Sequence, residues 1–518
     1  MKSYDFIVVG AGTAGCVLAA RLSRDPAIRV LLLEAGADGV SRTMMMPDAW
    51  PELLGTSADW NNTTTAQAGT GPVAYPRGRA VGGSGAINAM AHVRGHRAVY
   101  DSWATGGATG WGFADLLPYF KRSEHTAGRD PMLRGTGGPV RVAPVPESGR
   151  HPAAVAFAEA LASVGCPVTG DLSGARQEGV AWPDLAIHDG RRVSPATAYL
   201  RPARHRQNLT VLADCLVTGL EIRRGRCTGV RYLRHGKPVT VHNDAEVIVC
   251  AGAVGTPRLL MLSGIGPAGH LRDLGIRVAA GLPAVGANLQ DHPLTMVTYA
   301  APDLPRSAYQ HGEMYAALRS GLSGSWPDLH LFPILLPVVP PGLTGAPAGF
   351  SLVAAAVTSD SRGTVRLASA DVHDAPLIDP RFLSDDRDTG RLLDGLRLIR
   401  EAAASVAGSR IAATEWHPGT DVRTPGELRR FIRAAVGSYY HPAGTCRMGS
   451  DDSAVTDLEL RVRGVSALRI ADASVMPLIP NAHPHATVLA VAEKAADLIL
   501  GAATRRSTKP HDNHDRTR

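Results

Sequence analysis

The chain has 518 residues, of which 44% are hydrophobic and 19% charged; this is the composition of a globular protein, and the length exceeds what one simple core accommodates. Its net charge of +7 is scattered along the chain without a run of five basic residues, so we expect no nucleic-acid partner. Uninterrupted apolar stretches of about 18 residues are absent, which predicts no transmembrane segment.

The cysteines and the N-terminal segment indicate a cytoplasmic protein. None of the six cysteines belongs to a C-x-x-C pair, and reduced thiols are the rule in long cytosolic chains. The apolar stretch at the N-terminus runs directly into a glycine loop and lacks the features of a secretory signal. Cys446 has no neighbouring base in the sequence that would make it a nucleophile, so we expect a structural role for it.

The chain begins with a β-α-β unit. Residues 4–10 are typical of a buried strand, 13–24 of a helix and 30–34 of a second buried strand, which predicts a parallel sheet with right-handed crossovers. Residues 35–75 are irregular, and 78–91 are a glycine-rich loop that runs into an apolar, helix-like segment.

The rest of the chain alternates strands and helices around a proline-rich region between 300 and 350, where the pattern is lost. We predict strands over 209–223, 239–251, 351–358, 363–369 and 468–473, a hairpin connection over 224–237, and helices over 257–262, 385–407, 425–435 and 486–500. From residue 502 we predict a disordered tail, in which His511 and His514 are solvated rather than metal ligands.

Gly10, Gly12 and Gly15 form a G-x-G-x-x-G motif between the first strand and the first helix. The first glycine permits the tight turn, the second lets the backbone approach a pyrophosphate, and the third allows the helix to pack closely on the strand. Glu34 ends the second strand 19 residues after Gly15, where a carboxylate can accept hydrogen bonds from ribose hydroxyls. The combination predicts a dinucleotide site, but it does not separate FAD from NAD.

A second glycine-rich element, residues 76–88, lies far from the first in sequence. Such a loop allows the backbone and its amides to press against a ligand. The apolar residues Ile87, Ala89 and Met90 argue against a flexible linker. A flavin has a second flat body beyond the nucleotide, and this element is suited to hold it.

Together these segments resemble the glucose–methanol–choline (GMC) oxidoreductase family over nearly the whole chain. The resemblance rests on the number and order of the motifs DFIVVGAGTAGCVLAARLS, LLLEAG, GRAVGGSGAINAM, GWGFADLLPYFKRSE, CAGAVGTPRLLMLSGIGP, VGANLQDHP, HPAGTCRMG, LRIADASVMP and EKAADLI. It implies an α/β fold, with a Rossmann-like FAD-binding domain on a parallel sheet and an α+β substrate-binding domain on an antiparallel sheet. The implied divisions are 1–296, 297–467, a returning segment 468–501 and the tail 502–518.

The resemblance also implies FAD as the cofactor. The positions that match the family's cofactor contacts are Gly10, Gly12, Thr13, Ala14, Gly15, Glu34, Ala35, Arg79, Gly82, Gly83, Asn88, Val217, Ala251, Asp472, Ala473 and His483. In some family members a histidine of the glycine loop is bonded covalently to the flavin. Ile87 stands at the corresponding position here, which implies non-covalent FAD.

Two histidines match the family's catalytic positions. His441, in Tyr440-His441-Pro442, matches the catalytic base, and an imidazole with an ordinary pKa of about 6.5 can be neutral near pH 7. Counting back from Glu493 places His485 at the second position, which holds the substrate oxygen, and His483 is the alternative. The segment departs from the N-T-N-A-P-T form of choline-type members, which puts choline specificity in doubt.

Other histidine patterns predict no metal site. His483 and His485 have no third ligand nearby, and His92 and His96 lack an accompanying glutamate, so we interpret the latter pair as helix-capping residues.

The resemblance therefore implies FAD-dependent oxidation of a primary alcohol to an aldehyde, with O2 or another electron acceptor. A polyol or amino sugar of antibiotic biosynthesis is one candidate substrate, and the aromatic content of 5% argues mildly against a cage for a quaternary ammonium. The alternatives are a choline-type dehydrogenase with a non-oxygen acceptor and a hydroxynitrile lyase-like enzyme with non-redox FAD. The oligomeric state is not predicted.

Overall fold

The computed structural model describes residues 3–67, 69–339, 343–345, 348–410 and 413–507. Two seven-stranded sheets organise these residues. His511 and His514 of the predicted tail lie outside the described residues. Residues 502–507, which we also expected to be disordered, continue the last helix, Pro484–Ser507, so this part of the prediction is wrong.

The first sheet confirms the predicted β-α-β opening. Tyr4–Val9 pairs in parallel with Val30–Leu33, and Thr13–Leu22 is the helix between them. All four residues of Val30–Leu33 are buried, because the strand lies inside the sheet with helices packed over it. The strand order across the sheet is Leu209–Leu212, Val30–Leu33, Tyr4–Val9, Lys237–Val249, Arg226–Arg234 and Cys215–Arg223, with Leu468–Ile470 paired to Lys237–Val249.

The predicted hairpin over 224–237 is wrong, because this segment contains a full strand. Arg226–Arg234 pairs antiparallel with both Cys215–Arg223 and Lys237–Val249, which makes a three-stranded meander. Arg231 and Arg234 of this strand are exposed, and three of its nine residues are arginine, so the polar side chains concealed the strand in the sequence. The predicted strand 209–223 is also divided, and its two halves lie at opposite edges of the sheet.

The second sheet is antiparallel, and two of its strands, Tyr315–Leu318 and Leu329–Ile334, lie in the region where the sequence pattern is lost. Its strand order is Thr414–His417, Pro293–Ala300, Gly349–Ala356, Leu329–Ile334, Tyr315–Leu318 and Gly179–Ala181, with Gly437–Ser438 paired to Pro293–Ala300. Tyr315–Leu318 and Leu329–Ile334 were not predicted. Gly179–Ala181 joins this sheet from within 1–296, and Leu468–Ile470 returns to the first sheet, so the chain crosses between the sheets more than once.

Strand alternation gives the second sheet two different faces. One face, including Val297 and Leu331, packs in a core with the helix Asp386–Ala404. The other carries Leu294, Tyr315 and Phe332 in a separate cluster. Leu294, Tyr315 and Phe332 also line the large cleft that is described in the next section.

The remaining helices surround the two sheets. The α-helices among them are Arg42–Met45, Arg97–Thr105, Phe113–Ser123, Pro152–Ser163, Arg201–Ala203, Gly252–Leu262, Ala268–Asp273 and Pro425–Ala435. Pro484–Ser507 packs against Thr13–Leu22 and Phe113–Ser123, which closes one side of the first sheet. In the described part of the chain, no helix is both long and apolar enough to span a bilayer, and all six cysteines are free.

Candidate active site

The two glycine-rich loops contact each other through their backbones. Gly10 has φ +96°, and a Cβ there would lie 2.6 Å from the carbonyl oxygen of Cys250. Gly83 has φ +53°, and a Cβ there would lie 2.6 Å from Cα of Gly12. A side chain on Gly83 would therefore push the two loops apart, and a side chain on Gly10 would push the first loop away from Cys250.

Glu34 is held in place by the first loop. Its Oε2 accepts a hydrogen bond from the backbone N–H of Ala11 at 2.8 Å, and its Oε1 accepts one from Gly36 at 2.8 Å. Burial raises the pKa of this carboxyl to about 7, although the N–H donors oppose the shift. Each oxygen keeps a free lone pair, so the group can also accept hydrogen bonds from ribose hydroxyls.

A single cleft connects the glycine loops to the histidines. Its cavity volume is about 380 Å³, within the roughly 300–1,000 Å³ of ordinary small-molecule sites. The predicted site residues on its wall are Gly10, Gly12, Thr13, Ala14, Glu34, Ala35, Gly83, Asn88, Val217, Ala251, His441, Asp472, Ala473, His483 and His485. The cleft thus brings together residues from both ends of the chain.

Three predicted cofactor residues support the wall without being part of it. The N–H of Gly82 donates to the carbonyl of Ala11 at 2.7 Å, and Arg79 lies over the ring of Trp60 at 5.2 Å. A Cβ on Gly15 would lie 1.8 Å from the carbonyl oxygen of Gly10, so this glycine is required for the helix to begin where it does.

Asp472 connects the first sheet to the helix Gly252–Leu262. Its Oδ2 accepts from the N–H of Gly252 at 2.9 Å and from Oγ1 of Thr256 at 2.6 Å, while Oδ1 accepts from Ser474 N–H at 2.8 Å. Burial raises the pKa of this carboxyl. The carboxylate therefore fixes the start of a helix whose first residues line the cleft.

These features fit FAD. The glycine backbone can approach a pyrophosphate, Glu34 can bind a ribose, and the cleft continues past the nucleotide site to a second glycine loop.

At the histidine end, His441 and His483 lie side by side. Their ring centroids are 5.0 Å apart, and both rings contact Tyr439, at 4.2 Å and 5.1 Å. The hydroxyl of Tyr439 is 3.0 Å from Nε2 of His483. Nδ1 of His483 is buried and has no hydrogen-bond partner among the described residues, so it is a polar atom available to a ligand.

His441 is fixed by two further residues that the sequence did not single out. Its Nδ1 lies 3.0 Å from Nδ1 of the fully buried His292. One carboxylate oxygen of Asp291 accepts the backbone N–H groups of both histidines, at 2.8 Å and 2.9 Å, and its other oxygen accepts from the hydroxyl of Ser438. Asp291 thus hydrogen-bonds to the backbone of both His292 and His441 and holds the two segments together. The only sequence signal was the motif VGANLQDHP.

Burial keeps the histidines of the site neutral. The pKa values of His441 and His483 lie well below 6.5, mainly because of burial and secondly because of the neighbouring histidines. Burial also lowers the pKa of His292 to about 3 and that of His330 to about 4. A neutral imidazole has a free lone pair, so it can accept a proton from a substrate.

His485 lies elsewhere on the wall. Its ring contacts His92, with centroids 6.3 Å apart, and burial lowers its pKa to about 3. His92 is itself 3.0 Å from Oε2 of the buried Glu124, so its interpretation as a helix cap is wrong; Glu124 is distant in sequence and pairs with it only in the fold. His96 does cap the helix Arg97–Thr105, as predicted. His483, the alternative assignment, is therefore the histidine beside His441.

The described residues contain no group of three or more His, Cys, Asp or Glu side chains that could hold a metal ion. The fold and the site together define a nucleotide-dependent enzyme, with a parallel-sheet cofactor domain and a histidine pair at the far end of its cleft.

Family models show which enzyme family this is. The N-terminal GMC oxidoreductase model matches residues 4–294, and the C-terminal model matches residues 359–492. The chain belongs to the GMC oxidoreductase family. It is therefore an oxidoreductase that acts on CH–OH groups, and the flavoenzymes of this family use FAD.

Individual relatives match over nearly full length. The chain is 39% identical to the human mitochondrial choline dehydrogenase, covering 96% of this chain and 90% of the relative. It is 38% identical to the oxygen-dependent choline dehydrogenase of Sinorhizobium medicae, covering 96% and 95%. Among solved structures, pyridoxine 4-oxidase from Mesorbium loti superposes with a TM-score of 0.91 at 36% identity, covering 96% of this chain and 99% of that one.

Proposed function

We propose that this enzyme oxidises a primary alcohol to an aldehyde, with non-covalently bound FAD, His441 as the base and O2 as the electron acceptor. The observation that carries the proposal is the pair of buried, neutral imidazoles, His441 and His483, on the wall of the cleft that fits the cofactor. The balanced reaction is R–CH2OH + O2 → R–CHO + H2O2.

The residues that would hold FAD are those on the cleft wall. Gly10, Gly12 and Glu34 would hold the ADP half, and Gly83 and Asn88 would hold the flavin side. When bound, the isoalloxazine accepts a hydride from the carbinol carbon. Ile87 lines the cleft where a covalently bonding histidine would stand, so acid precipitation of the protein should release the flavin into the supernatant. A flavin that stayed in the pellet would contradict the non-covalent assignment.

His441 would remove the hydroxyl proton through Nε2. Its Nδ1 faces His292, so Nε2 is the ring nitrogen left for a substrate. When Nδ1 of His441 carries hydrogen and donates it to His292, Nε2 has the lone pair that a base requires. The same bond persists after the proton is taken up, and it stabilises the resulting imidazolium. His292 is thus a positioning residue, which sets the tautomer of His441.

His483 would hold the substrate oxygen. If the Tyr439 hydroxyl donates to Nε2 of His483, the ring hydrogen resides on Nδ1, the nitrogen that has no partner among the described residues. An N–H at this point can donate to the oxygen as it gains negative charge. We therefore propose His483 for this role, and His485 as a wall residue.

The choice of O2 is supported by relatives that are named as oxidases or as oxygen-dependent, including the structure of a fungal aryl-alcohol oxidase at TM-score 0.84. A hydrogen-peroxide assay over a panel of primary alcohols tests it. Peroxide formed in proportion to aldehyde supports the proposal, whereas aldehyde formed only with an added quinone would replace O2 by another acceptor.

Anaerobic mixing tests the redox role of the cofactor itself. An oxidoreductase bleaches the flavin absorbance when a substrate alcohol is added without oxygen. A lyase that keeps FAD as a structural element does not. If none of the panel alcohols bleaches the flavin of FAD-loaded enzyme, the proposed function is wrong.

A further inference from the structure

Most side chains that line the part of the cleft beside the histidine pair are uncharged. Leu294, Tyr315, Phe332, Ile334 and Tyr439 come from the inner face of the second sheet and the segment before His441. Trp50 and Leu54 add apolar wall from the loop region after the first β-α-β unit. The substrate thus meets an apolar and aromatic surface.

Among the described residues, the acidic side chains that line the cleft lie at its cofactor end. Glu34 and Asp472 are the two, and both carboxylates accept hydrogen bonds from backbone N–H groups there. Asp291 lies close to His441, but it is 4% exposed and its oxygens bind two backbone N–H groups and the Ser438 hydroxyl. None of these carboxylates is placed to receive a cation on the substrate.

The charged residue on the wall next to the histidine pair is positive. Arg77 donates to the carbonyl oxygen of Tyr440, the residue that precedes His441, at 2.6 Å. Its charge contributes to lowering the pKa of His441. Arg77 would repel a cation on the substrate in the same way. Such a cation would also lose its hydration in the cleft without gaining a counter-ion.

The aromatic rings of the wall pack on one another. Phe332 stacks on Tyr439 at 5.0 Å with an interplanar angle of 12°, and His441 lies 4.2 Å from the same tyrosine ring. Tyr315 contacts Phe332 at 5.0 Å and His483 at 5.0 Å. A cage for a quaternary ammonium needs several ring faces turned toward the cation, whereas Phe332 and Tyr439 turn one face of each ring toward the other.

We infer that the substrate is an uncharged apolar primary alcohol, aromatic alcohols included, and that the enzyme discriminates against cationic alcohols such as choline and amino sugars. The inference rests on the proposed function, since it names the substrate class of the same site. We choose Leu294 to test this selectivity, because it lines the cleft two residues after His292 and its side chain is apolar.

Choline and 3,3-dimethylbutan-1-ol provide a matched pair of probes, because they share a shape and differ by the charge on the quaternary centre. We expect kcat/KM of the FAD-loaded enzyme to be at least about tenfold higher for the neutral alcohol, and benzyl alcohol to be oxidised as well. If both members of the pair are poor substrates, their inhibition constants against the best alcohol of the panel are compared, and the neutral compound should again bind more tightly.

Two substitutions of Leu294 separate charge from shape. Leu294→Glu should shift the ratio of kcat/KM toward choline by about tenfold or more, whereas Leu294→Gln, of the same shape without the charge, should leave the preference for the neutral alcohol. FAD content of each variant verifies that it is folded.

A wild-type enzyme that prefers choline, as substrate or inhibitor, overturns the inference while leaving alcohol oxidation intact. A flavin that no alcohol bleaches overturns both the inference and the proposed function, so the two failures are distinguishable.

Discussion

His441 combines burial with a free ring nitrogen, and this makes its role testable by substitution. Replacement of His441 by Ala should lower the anaerobic rate of flavin reduction by about 10²–10⁴-fold, because general-base catalysis contributes that much, while FAD stays bound. Stopped-flow absorbance measures the rate. His483→Ala should have a larger effect than His485→Ala; the reverse order would return the second role to His485.

The lowered pKa of His441 predicts how the reduction rate depends on pH. The base must be unprotonated, and burial together with His483, His292, Arg77 and His330 shifts its pKa downward. Activity is therefore lost only as the pH falls through the lowered value, so kcat/KM for flavin reduction should stay on its plateau at pH 6.5 and below. A decline centred at or above pH 6.5 would show that the proton acceptor is an ordinary histidine.

His292 predicts a different signature from that of a residue that touches substrate. His292→Phe removes the nitrogen that receives Nδ1–H of His441, so kcat should fall by about 10- to 100-fold with little change in KM. His292→Asn, whose amide oxygen can accept the same hydrogen bond, should recover much of the rate. Equal losses in both variants, with normal FAD content, would argue that His292 acts only through packing.

At the level of elements, the contact between the two glycine loops determines whether the cofactor binds. Gly83→Ala places a Cβ against Gly12 at a left-handed φ, so the variant should lose most of its FAD as purified. Gly137→Ala is a matched control, because that glycine has open space around it. Flavin-to-protein absorbance ratios measure the effect, and full flavin content in Gly83→Ala would show that the loops can separate without cost.

Elements whose pattern is local were predictable from the sequence, and those that depend on distant partners were not. The βαβ opening and the helix Pro425–Ala435 were predicted because periodicity and end signals lie within each segment. Leu329–Ile334 was missed because His330 and Pro333 interrupt its apolar run, and Tyr315–Leu318 because it lacks the neighbouring glycine motif and helix pattern that identify Val30–Leu33. Side chains from these two strands line the part of the cleft beside the histidine pair.

The same distinction applies to the site. The cofactor loop is one continuous motif, so its residues could be named in advance. The choice between His483 and His485 depends on where the last helix begins, at Pro484, and counting along the sequence does not determine which ring faces His441. His292 and Asp291 act through contacts across about 150 residues of chain, which no local pattern encodes.

On the scale of the whole molecule, the fold gathers histidines with a lowered pKa from four separate segments. His292, His330, His441, His483 and His485 all have a pKa below the ordinary value. Between the lowered and the ordinary value, the unfolded chain binds protons that the folded chain does not. Each of these histidines therefore lowers the free energy of unfolding as the pH drops below about 6.5, by up to roughly 1.4 kcal/mol per pH unit.

A single substitution isolates this effect from the rest of the molecule. Buried carboxyls with a raised pKa, such as Glu34, bind protons in the folded state and partly offset the histidines, so the total slope is a net value. His330→Gln removes one histidine whose pKa of about 4 makes it neutral when folded. The free energy of unfolding of the variant holoenzyme, measured with urea between pH 6.5 and 5, should therefore fall less steeply with pH, by a slope that corresponds to about one proton. An unchanged slope would mean that His330 is protonated in the folded enzyme, because only a group with the same charge in both states leaves the pH dependence untouched.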